Sequence, residues 1–326
     1  MAKDLNYSKI TERFMLHKMS TRPCTMCGTG GNPIVASERP CRCWNNKPWM
    51  PEDHYTLICC KKCGNLYVDS DVTEEYLDNL MAEVVPEFSE KTAYERNEEM
   101  EFVRNRELEM NWNMMTKFRK PLRGEKLLDF GSAWGAFGNI AKRDGIIPNG
   151  VELQLVAARS SLKLWGEGIV HCGPIENAPF KKNEFQYITA FETLEHLFNP
   201  IRVLRELKTF LSKDGILAIS VPSADYFIFK YWFYRKQPAG ALMRKILPGN
   251  MLEGMALIHN HINTFSIKSA SLMIEKSGFR IIHIGSIGWR GGRIGKICEN
   301  IGGLLWSTSR HHIAFAPSIL IIADNG

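Results

Sequence analysis

An acidic residue followed by a turn of small residues stands out in the stretch LLDFGSAWGAFG, residues 127–138. Asp129, Gly131, Ala133 and Gly135 alternate with other residues, which predicts a strand ending at the acid, a tight turn and a helix. The spacing differs from the Gly-x-Gly-x-x-Gly turn that places a pyrophosphate on a helix N-terminus, so a dinucleotide is not the first expected ligand. A carboxylate beside an open turn suits a ligand that carries an ammonium group.

A second acid ends the next predicted strand, GVEL, at Glu152. It follows Gly135 by 17 residues, close to the spacing of about 20 at which an acid follows a nucleotide-binding turn. A carboxylate at this place can accept hydrogen bonds from both hydroxyls of a ribose. The two acids together favour a ligand with a ribose and an amino-acid part.

Paired cysteines form another group of reactive side chains. The sequence Cys-x-x-Cys-Gly occurs twice, at Cys24 and Cys27 and again at Cys60 and Cys63. Each pair can bring two thiolates to one ion, and the four together predict a closed tetrahedral site that suits structural zinc. Four thiolates leave no open position on the ion, so a catalytic zinc is not expected there.

Three further cysteines, Cys41, Cys43 and Cys59, lie between or beside these pairs. They could form part of a second site with His54, or one of them could replace a member of the quartet. The spacings fit no iron–sulfur pattern. Because such clustering in a reducing compartment favours metal binding over disulfides, and no stretch resembles a secretory signal or a membrane span, the predicted location is the cytoplasm.

The elements that would hold these residues follow from hydrophobic patterning. From residue 126, the apolar runs KLLDF, GVEL, GIVHC, FQYITAF and GILAISV alternate with amphipathic segments, and RIIHIGSI and SILIIAD follow near the end. This alternation predicts an α/β fold, a doubly wound and mostly parallel sheet with helices on both faces. Before it, Phe102, Leu108, Trp112 and Met115 recur at helical spacing and Pro121 ends the run, which predicts a connecting helix.

In five ordered segments the chain resembles the class I S-adenosylmethionine-dependent methyltransferases, most closely the small-molecule branch that includes ubiquinone-biosynthesis-like enzymes. The segments are LLDFGSAWGAFG, GVELQ, FQYITAFETLEHLFNP, LKTFLSKDGILAISVP and HINTFSIKSASLMIEKSGF. The resemblance implies a Rossmann-like sheet of seven strands and S-adenosylmethionine as cofactor. CCKKCGNLYV and the acidic TEEYLDNLMAE resemble the zinc ribbon that precedes some bacterial methyltransferase domains.

The predicted organisation is therefore a zinc-ribbon-like module over residues 1–90, a connecting helix over residues 91–120 and a methyltransferase domain over residues 121–326. Residues 223–258 form an insertion with aromatic and basic residues interleaved, YFIFKYWFYRK. Such a segment can stack on a flat substrate, grip phosphates or lie on a membrane surface, or it can be a packed lid helix with a solvated basic flank.

The resemblance also implies the cofactor-binding residues. The turn would cradle the methionine part, Glu152 the ribose, and the segment after GIVHC the adenine. The residues implied are Asp129, Gly131, Ser132, Ala133, Gly135, Phe137, Glu152, Leu153, Ile175, Glu176 and Glu192. The chain departs from the family's usual Gly-Asp after the third strand, because Pro174 follows Gly173 and offers neither a side-chain acceptor nor an N–H donor.

Candidate catalytic residues lie in FETLEHLFNP, which would follow the fourth strand and face the site. Glu195 and His196 are titratable there, and the resemblance places His261 before a helix that crosses the site. A base assists methyl transfer to a hydroxyl or a carbon acid, and histidine has an ordinary pKa near neutrality. Each of these histidines could instead serve only for packing and structural hydrogen bonds.

Charge bears on the acceptor. Residues 221–326 contain twelve Lys or Arg and five Asp or Glu, whereas residues 1–90 contain ten Lys or Arg and thirteen Asp or Glu. The first function hypothesis is therefore methyl transfer to an O or C centre of an anionic small-molecule or glycan acceptor, nucleotide-linked or lipid-linked. An RNA-directed methyltransferase is the alternative, against which the acidic N-terminal module argues. A non-catalytic, cofactor-binding interaction protein is the third.

Overall fold

The protein is described by a computed structural model over residues 23–37, 42–43, 47–48, 55–69, 98–228, 261–287, 302–304, 307 and 316–326. Most of the aromatic and basic insertion lies outside the described residues, as do Cys41 and His54. The side chain of Phe102 is also not described.

The described part of the chain includes the following thirteen strands and five α-helices. The strands are β1 (Gly31–Ser37), β2 (Arg42–Cys43), β3 (Lys47–Pro48), β4 (Tyr55–Cys60), β5 (Leu66–Asp69), β6 (Lys126–Phe130), β7 (Ile147–Glu152), β8 (Val170–Cys172), β9 (Phe185–Phe191), β10 (Leu211–Pro222), β11 (Asn263–Thr264), β12 (Arg280–Ile287) and β13 (Ser318–Asp324). The helices are α1 (Glu98–Phe118), α2 (Ala136–Lys142), α3 (Leu155–Trp165), α4 (Pro200–Phe210) and α5 (Ile267–Lys276), and single 3₁₀ turns span Ile175–Asn177 and Leu194–His196.

The large sheet has seven strands in the order β12-β13-β10-β9-β6-β7-β8. Strands β6 to β10 are parallel, and β13 pairs antiparallel with both β10 and β12. The predicted α/β fold with a mostly parallel, Rossmann-like sheet is confirmed. The order of the strands reverses between β6 and β9, and in such sheets a ligand binds beyond the carboxyl ends of the strands at this reversal.

Helices cover both faces of this sheet because its central strands are apolar at successive positions. Ile188, Leu217 and Ile219 lie in the hydrophobic cluster that includes residues of α4 and α5. The adjacent residues Tyr187 and Ala218 lie in the cluster that includes residues of α1 and α2. Successive strand residues point to opposite faces, so each central strand contributes to two cores.

Helix α1 (Glu98–Phe118) lies within residues 91–120, for which a connecting helix is predicted. Trp112 and Met115 are buried, Leu108 packs against the same cluster, and the Trp112 Nε1 donates a hydrogen bond to Asp144 Oδ2 at 2.7 Å. The helix ends at Phe118, before Pro121, where the ring of proline would remove a helical hydrogen bond. Its buried stripe attaches it to α2 and the large sheet.

The cysteine-containing N-terminal module shares a sheet with the large domain. Its four strands have the order β1-β4-β5-β11, and β11 comes from the segment that precedes α5. The backbone N–H of Val68 donates to the carbonyl of Ile262 at 3.1 Å, and Lys276 Nζ donates to the carbonyl of Met26 at 2.7 Å. The module therefore packs directly on the large domain through β11 and α5.

Candidate functional site

A cavity opens at the carboxyl ends of β6, β7, β8 and β9, the location expected from the strand order. Its lining comes from the ends of these strands, the turns that follow them and the first turn of α4. The lining residues are Phe130, Gly131, Ala133, Val151, Glu152, Leu153, Gln154, Gly173, Pro174, Ile175, Glu176, Glu192, Thr193, His196, Leu197, Arg202 and Val203. The structure thus brings together eight of the predicted site residues from separate parts of the chain.

The turn after β6 has the tight geometry that its small residues predict. Gly135 has φ 81°, and a Cβ there would lie 2.8 Å from the backbone Cα of Ser161. Gly131 has φ 77°. A glycine is required at both positions because L side chains rarely adopt this conformation and, at Gly135, because helix α3 approaches closely.

Two non-glycine residues with positive φ also line the cavity, Ala133 at 46° and Glu192 at 49°. Left-handed backbone costs about 1–2 kcal/mol for an L residue and is often retained at functional sites. The N–H of Ala133 donates to Glu152 Oε2 at 2.8 Å, which holds the turn in this conformation. This contact helps an L residue to keep the left-handed conformation of the turn.

Glu152 lines the cavity at the end of β7. Its Oε2 accepts from Ala133, and its Oε1 accepts from the N–H of Gln154 at 3.0 Å. Burial raises the pKa of the Glu152 carboxyl, although these backbone hydrogen bonds oppose the shift. Each carboxylate oxygen has two lone pairs, so the group can still accept from a ligand while it orients the turn.

Four predicted cofactor residues are not among those that line the cavity. Asp129 is buried, and its Oδ1 accepts a hydrogen bond from Thr189 Oγ1 on β9 at 2.8 Å. Phe137 faces the core, where its ring lies edge-on to Phe191 at a centroid distance of 4.8 Å. Ser132 is also buried, beneath the turn and beside Gly150. The fourth, Gly135, shapes the turn and accepts from Trp165 Nε1 through its carbonyl.

The segment after β8 forms a second wall. Ile175 is buried against the core, whereas Glu176 and Arg202 approach to 3.4 Å between side-chain oxygen and nitrogen. The backbone at Gly173 has φ 147°, and the following Pro174 is extended at φ −60° and ψ 145°. Ile175 and Glu176, the two residues predicted near the adenine, both line the cavity.

Several lining residues were not predicted from the sequence. Thr193 donates to the carbonyl of Phe191 at 3.0 Å, and Arg202 belongs to the first turn of α4. Gln154 directly follows GVEL, so proximity to Glu152 could have identified it. Arg202 carries no comparable pattern, because it reaches the cavity only through the packing of α4.

A cluster of one acid and two histidines lies at the edge of the cavity. Glu195 is fully buried, and its Oε1 lies 3.8 Å from His196 Nε2 and 3.5 Å from His261 Nε2. Burial, followed by the charge of Glu192, raises the pKa of Glu195 well above its ordinary value. Of the three, only His196 lines the cavity. The structure thus brings together the three predicted catalytic residues across more than sixty positions of sequence.

The four predicted metal ligands also come together. The sulfur atoms of Cys24 and Cys63 are 3.6 Å apart, those of Cys27 and Cys60 are 3.3 Å apart, and all four lie within 4.8 Å of one another. A hydrogen bond from the Cys63 thiol lowers the pKa of Cys24 to about 5. Cys59 is not part of this described quartet.

The two Cys-x-x-Cys-Gly turns, at residues 24–28 and 60–64 and called knuckles below, have the same backbone form. Gly28 N donates to the carbonyl of Cys24 at 2.7 Å, and Gly64 N donates to that of Cys60 at 3.0 Å. Both glycines have positive φ, 76° and 72°. The glycine after each Cys-x-x-Cys thus permits the turn that directs both thiols of a pair to one point.

Comparisons with known proteins agree with this fold. The family described as "Methyltransferase domain" matches residues 74–284, more than half of the chain and inclusive of α1. An uncharacterised protein of Methanocaldococcus jannaschii is 32% identical over 102 residues, which are 31% of this chain and 43% of that protein. The chain thus matches less than half the length of this curated relative.

Among the described residues, no helix is long and apolar enough to cross a membrane.

Solved structures of S-adenosylmethionine-dependent methyltransferases are similar at low sequence identity. The Thermotoga maritima protein is 16% identical with a TM-score of 0.47, and the match covers 72% of this chain and 96% of that chain. The Mesorhizobium loti protein is 14% identical with a TM-score of 0.45, and the match covers 65% of this chain and 96% of that chain. On the family match, the chain belongs to the methyltransferase-domain family, and its large sheet has a Rossmann-like α/β arrangement.

Proposed function

We propose that the protein is an S-adenosylmethionine-dependent methyltransferase that acts on an O or C centre of a small-molecule or glycan acceptor. The observation that carries this proposal is the position of Glu152 at the end of β7, inside the cavity and beside a left-handed glycine turn. In a chain of this family, a carboxylate there suits the two hydroxyls of a ribose.

The cavity residues fit the cofactor's chemistry. The turn at Gly131 and Ala133 leaves backbone close to the cavity for the methionine part, and Glu152 offers oxygen acceptors to the ribose. Leu153 and Ile175 provide apolar surface for the adenine. When bound, S-adenosylmethionine supplies a methyl group that its sulfonium activates for transfer.

Asp129, Ser132, Gly135 and Phe137 would act on the cofactor indirectly in this proposal. Asp129 links β6 to Thr189 of β9, so it sets the position of the turn that follows. Phe137 anchors α2 in the core, and Gly135 lets α3 approach the same turn. These residues shape the cavity, whereas Glu176 and Glu192 remain candidates for direct contact.

The acceptor would lie near His196, the member of the acid and histidine cluster that lines the cavity. Glu195 and His261 would position this imidazole, since Glu195 Oε1 lies 3.8 Å from its Nε2 and the His261 ring lies edge-on to it at a centroid distance of 4.8 Å. Arg202 also lines the cavity, where it pairs with Glu176, and the basic balance of residues 221–326 favours an anionic acceptor, nucleotide-linked or lipid-linked.

The cysteine quartet would hold a structural Zn²⁺. Zn–S bonds of about 2.3 Å in a tetrahedron require sulfur atoms roughly 3.8 Å apart, close to the separations of 3.3 and 3.6 Å. The ion would cross-link the two knuckles and would take no part in the chemistry at the cavity. We further propose a cytoplasmic location, where a reducing medium would keep these thiols available.

Calorimetric titration of the purified, zinc-loaded protein with S-adenosylmethionine tests the function. We expect binding in the micromolar range, weakened at least about tenfold by Glu152→Ala, because 1.4 kcal/mol corresponds to a factor of ten. Glu167→Ala is the matched control, since Glu167 is exposed two residues after α3 and does not line the cavity. Absence of binding to the folded protein, or an equal loss in both variants, would contradict the proposal.

A further inference from the structure

The side chains of Glu195, His196 and His261 converge on one carboxylate oxygen. Both imidazole Nε2 atoms point at Oε1 of Glu195, from 3.8 and 3.5 Å, and the two rings lie edge to face with centroids 4.8 Å apart. One ligand atom from each residue lies within 4.8 Å of the other two. The three groups therefore surround a common point instead of stacking on one another.

These separations are too long for direct hydrogen bonds. An N–H···O bond has a donor–acceptor distance of 2.7–3.2 Å, and a contact of 3.6 Å is not one. Ligands about 2.1 Å from a shared ion are instead roughly 3.0 Å apart when their angle at the ion is 90° and 3.4 Å apart when it is tetrahedral. The observed separations of 3.5 and 3.8 Å are nearer to the tetrahedral ligand–ligand distance than to the length of a hydrogen bond.

The environment of Glu195 gives independent support. Its side chain is fully buried, and neither carboxylate oxygen has a hydrogen-bond partner among the described residues. Burying a polar group without a partner is costly, and buried charges are normally paired or bound to a metal. A cation bound by these oxygen atoms would satisfy both of them.

The backbone holds the cluster together. The N–H of Ile262 donates to the carbonyl of Glu195 at 3.0 Å, and the side-chain amide of Asn263 donates to the carbonyl of Leu197 at 2.9 Å. Residues on either side of each contact are thereby fixed, so His261 stays next to Glu195 and His196. The site is preformed by two segments distant in sequence.

We propose that Glu195, His196 and His261 bind one divalent transition-metal cation, separate from the ion of the cysteine quartet. Two imidazoles and one carboxylate leave further coordination positions open, as at catalytic zinc and non-haem iron sites. His196 lines the cavity, so an open position there would face the acceptor. This inference rests on the proposed function and specifies an acceptor that binds the ion through an oxygen atom.

A histidine nitrogen atom cannot serve as metal ligand and as general base at the same time. An Nε2 atom that binds the ion cannot also accept a proton from the acceptor, so a metal count distinguishes ligation from base catalysis.

Cobalt titration of the reduced, metal-free, full-length protein tests the site, because Co²⁺ at thiolates has a charge-transfer absorption that oxygen and imidazole ligands lack. We expect two equivalents to bind, one with the thiolate band and one with only ligand-field bands. Glu195→Gln and His261→Asn should each weaken the second equivalent at least tenfold and leave the thiolate band unchanged. His283→Asn, on the separate strand β12, removes a histidine as a control and should retain both equivalents.

A single equivalent in the wild-type protein, or a second one that persists in both variants, would overturn the proposal. If one variant fails to fold, shown by loss of the thiolate band as well, His196→Asn takes its place and the wild-type count still decides. S-adenosylmethionine binding is measured on the same samples. Cofactor binding without a second cobalt ion refutes only the metal site, whereas a second ion without cofactor binding refutes only the proposed function.

Discussion

The hydroxyl of Ser266 donates a hydrogen bond to the carbonyl oxygen of Cys63, with 2.5 Å between the two oxygen atoms. The same hydroxyl oxygen accepts from the N–H of Ser269 at 3.1 Å and so caps the start of α5. One side chain therefore joins the second cysteine knuckle to the helix that covers one face of the large sheet. The cysteine quartet and the large domain are directly connected at this point.

Replacing Ser266 by alanine is expected to lower the free energy of unfolding by about 1–2 kcal/mol, since it removes both the helix cap and the bond to Cys63. Urea unfolding followed by circular dichroism measures this change. Ser271→Ala, farther along the same helix, is the matched control and should change stability by less than about 0.5 kcal/mol. Equal effects of the two substitutions would show that the cap contributes nothing.

Removal of the metal from the cysteine quartet is expected to destabilise the whole protein by about 5 kcal/mol or more, because metal binding is coupled to folding in small metal-binding modules. Met26 and Phe265 share one buried cluster with the cysteines, so loss of the module would expose part of the large domain's core. Calorimetry of the zinc-loaded and chelated protein should show one transition that shifts as a unit. Two separate transitions would contradict this coupling.

Cys27→Ser should reproduce the effect of chelation and reduce the zinc content, measured by atomic absorption. Cys59→Ser is the matched cysteine control, because Cys59 neighbours Cys60 in sequence yet is not in the described quartet. It should leave zinc content and melting temperature unchanged.

Gly135→Ala is expected to destabilise the protein by about 3 kcal/mol or more and to abolish S-adenosylmethionine binding. The new Cβ would meet the Ser161 backbone at 2.8 Å in addition to the strain at φ 81°. Gly124→Ala isolates the strain alone, since Gly124 has φ 89° with no atom within 4 Å of a new Cβ. Cofactor titration and melting temperature should change far less in that variant; similar losses in both would exclude the close approach as the cause.

Arg119→Met is expected to cost about 2–4 kcal/mol at pH 7, because it leaves the half-buried Glu125 carboxylate without its partner. Arg119 binds both oxygens of Glu125, at 2.6 and 2.7 Å, and also Tyr187 Oη at 3.0 Å. Urea unfolding at pH 7 measures the loss. Arg143→Met, which removes an exposed pair with Glu109, should change stability by about 0.5 kcal/mol or less.

The same variant should be less sensitive to acid. Hydrogen bonds from Arg119 lower the pKa values of Glu125 and Asp214 in the folded protein. Their contribution is therefore present above the unfolded pKa values, about 4 to 4.5, and is lost as pH falls through the lower folded values. The difference in unfolding free energy between wild type and Arg119→Met should shrink between pH 7 and pH 3, and a constant difference would refute this linkage.

Local patterns predicted much of the fold correctly. The alternation of apolar runs and amphipathic segments predicted the strands β6 to β10 and also β12 and β13, because each strand must be apolar where it is buried. The predicted run KLLDF coincides with β6, which continues one residue past Asp129 to Phe130. The Cys-x-x-Cys-Gly spacing likewise predicted the quartet, since each knuckle is closed by hydrogen bonds within five residues.

Side-chain direction could not be predicted in the same way. Asp129 and Phe137 belong to the sequence of the turn and its helix, yet one bonds to β9 and the other packs in the core. Which face of an element lies toward a cavity depends on the elements packed against it, and these come from elsewhere in the chain.

By itself, the sequence determined the α/β fold, the small-residue turn, the carboxylate at the end of β7 and the cysteine knuckles, because each depends on neighbours within a few residues. Only the tertiary structure decided that β11 completes the sheet of the cysteine module and that His261 meets Glu195. These contacts join segments far apart in the chain, and they form only when burial of the shared core brings those segments together.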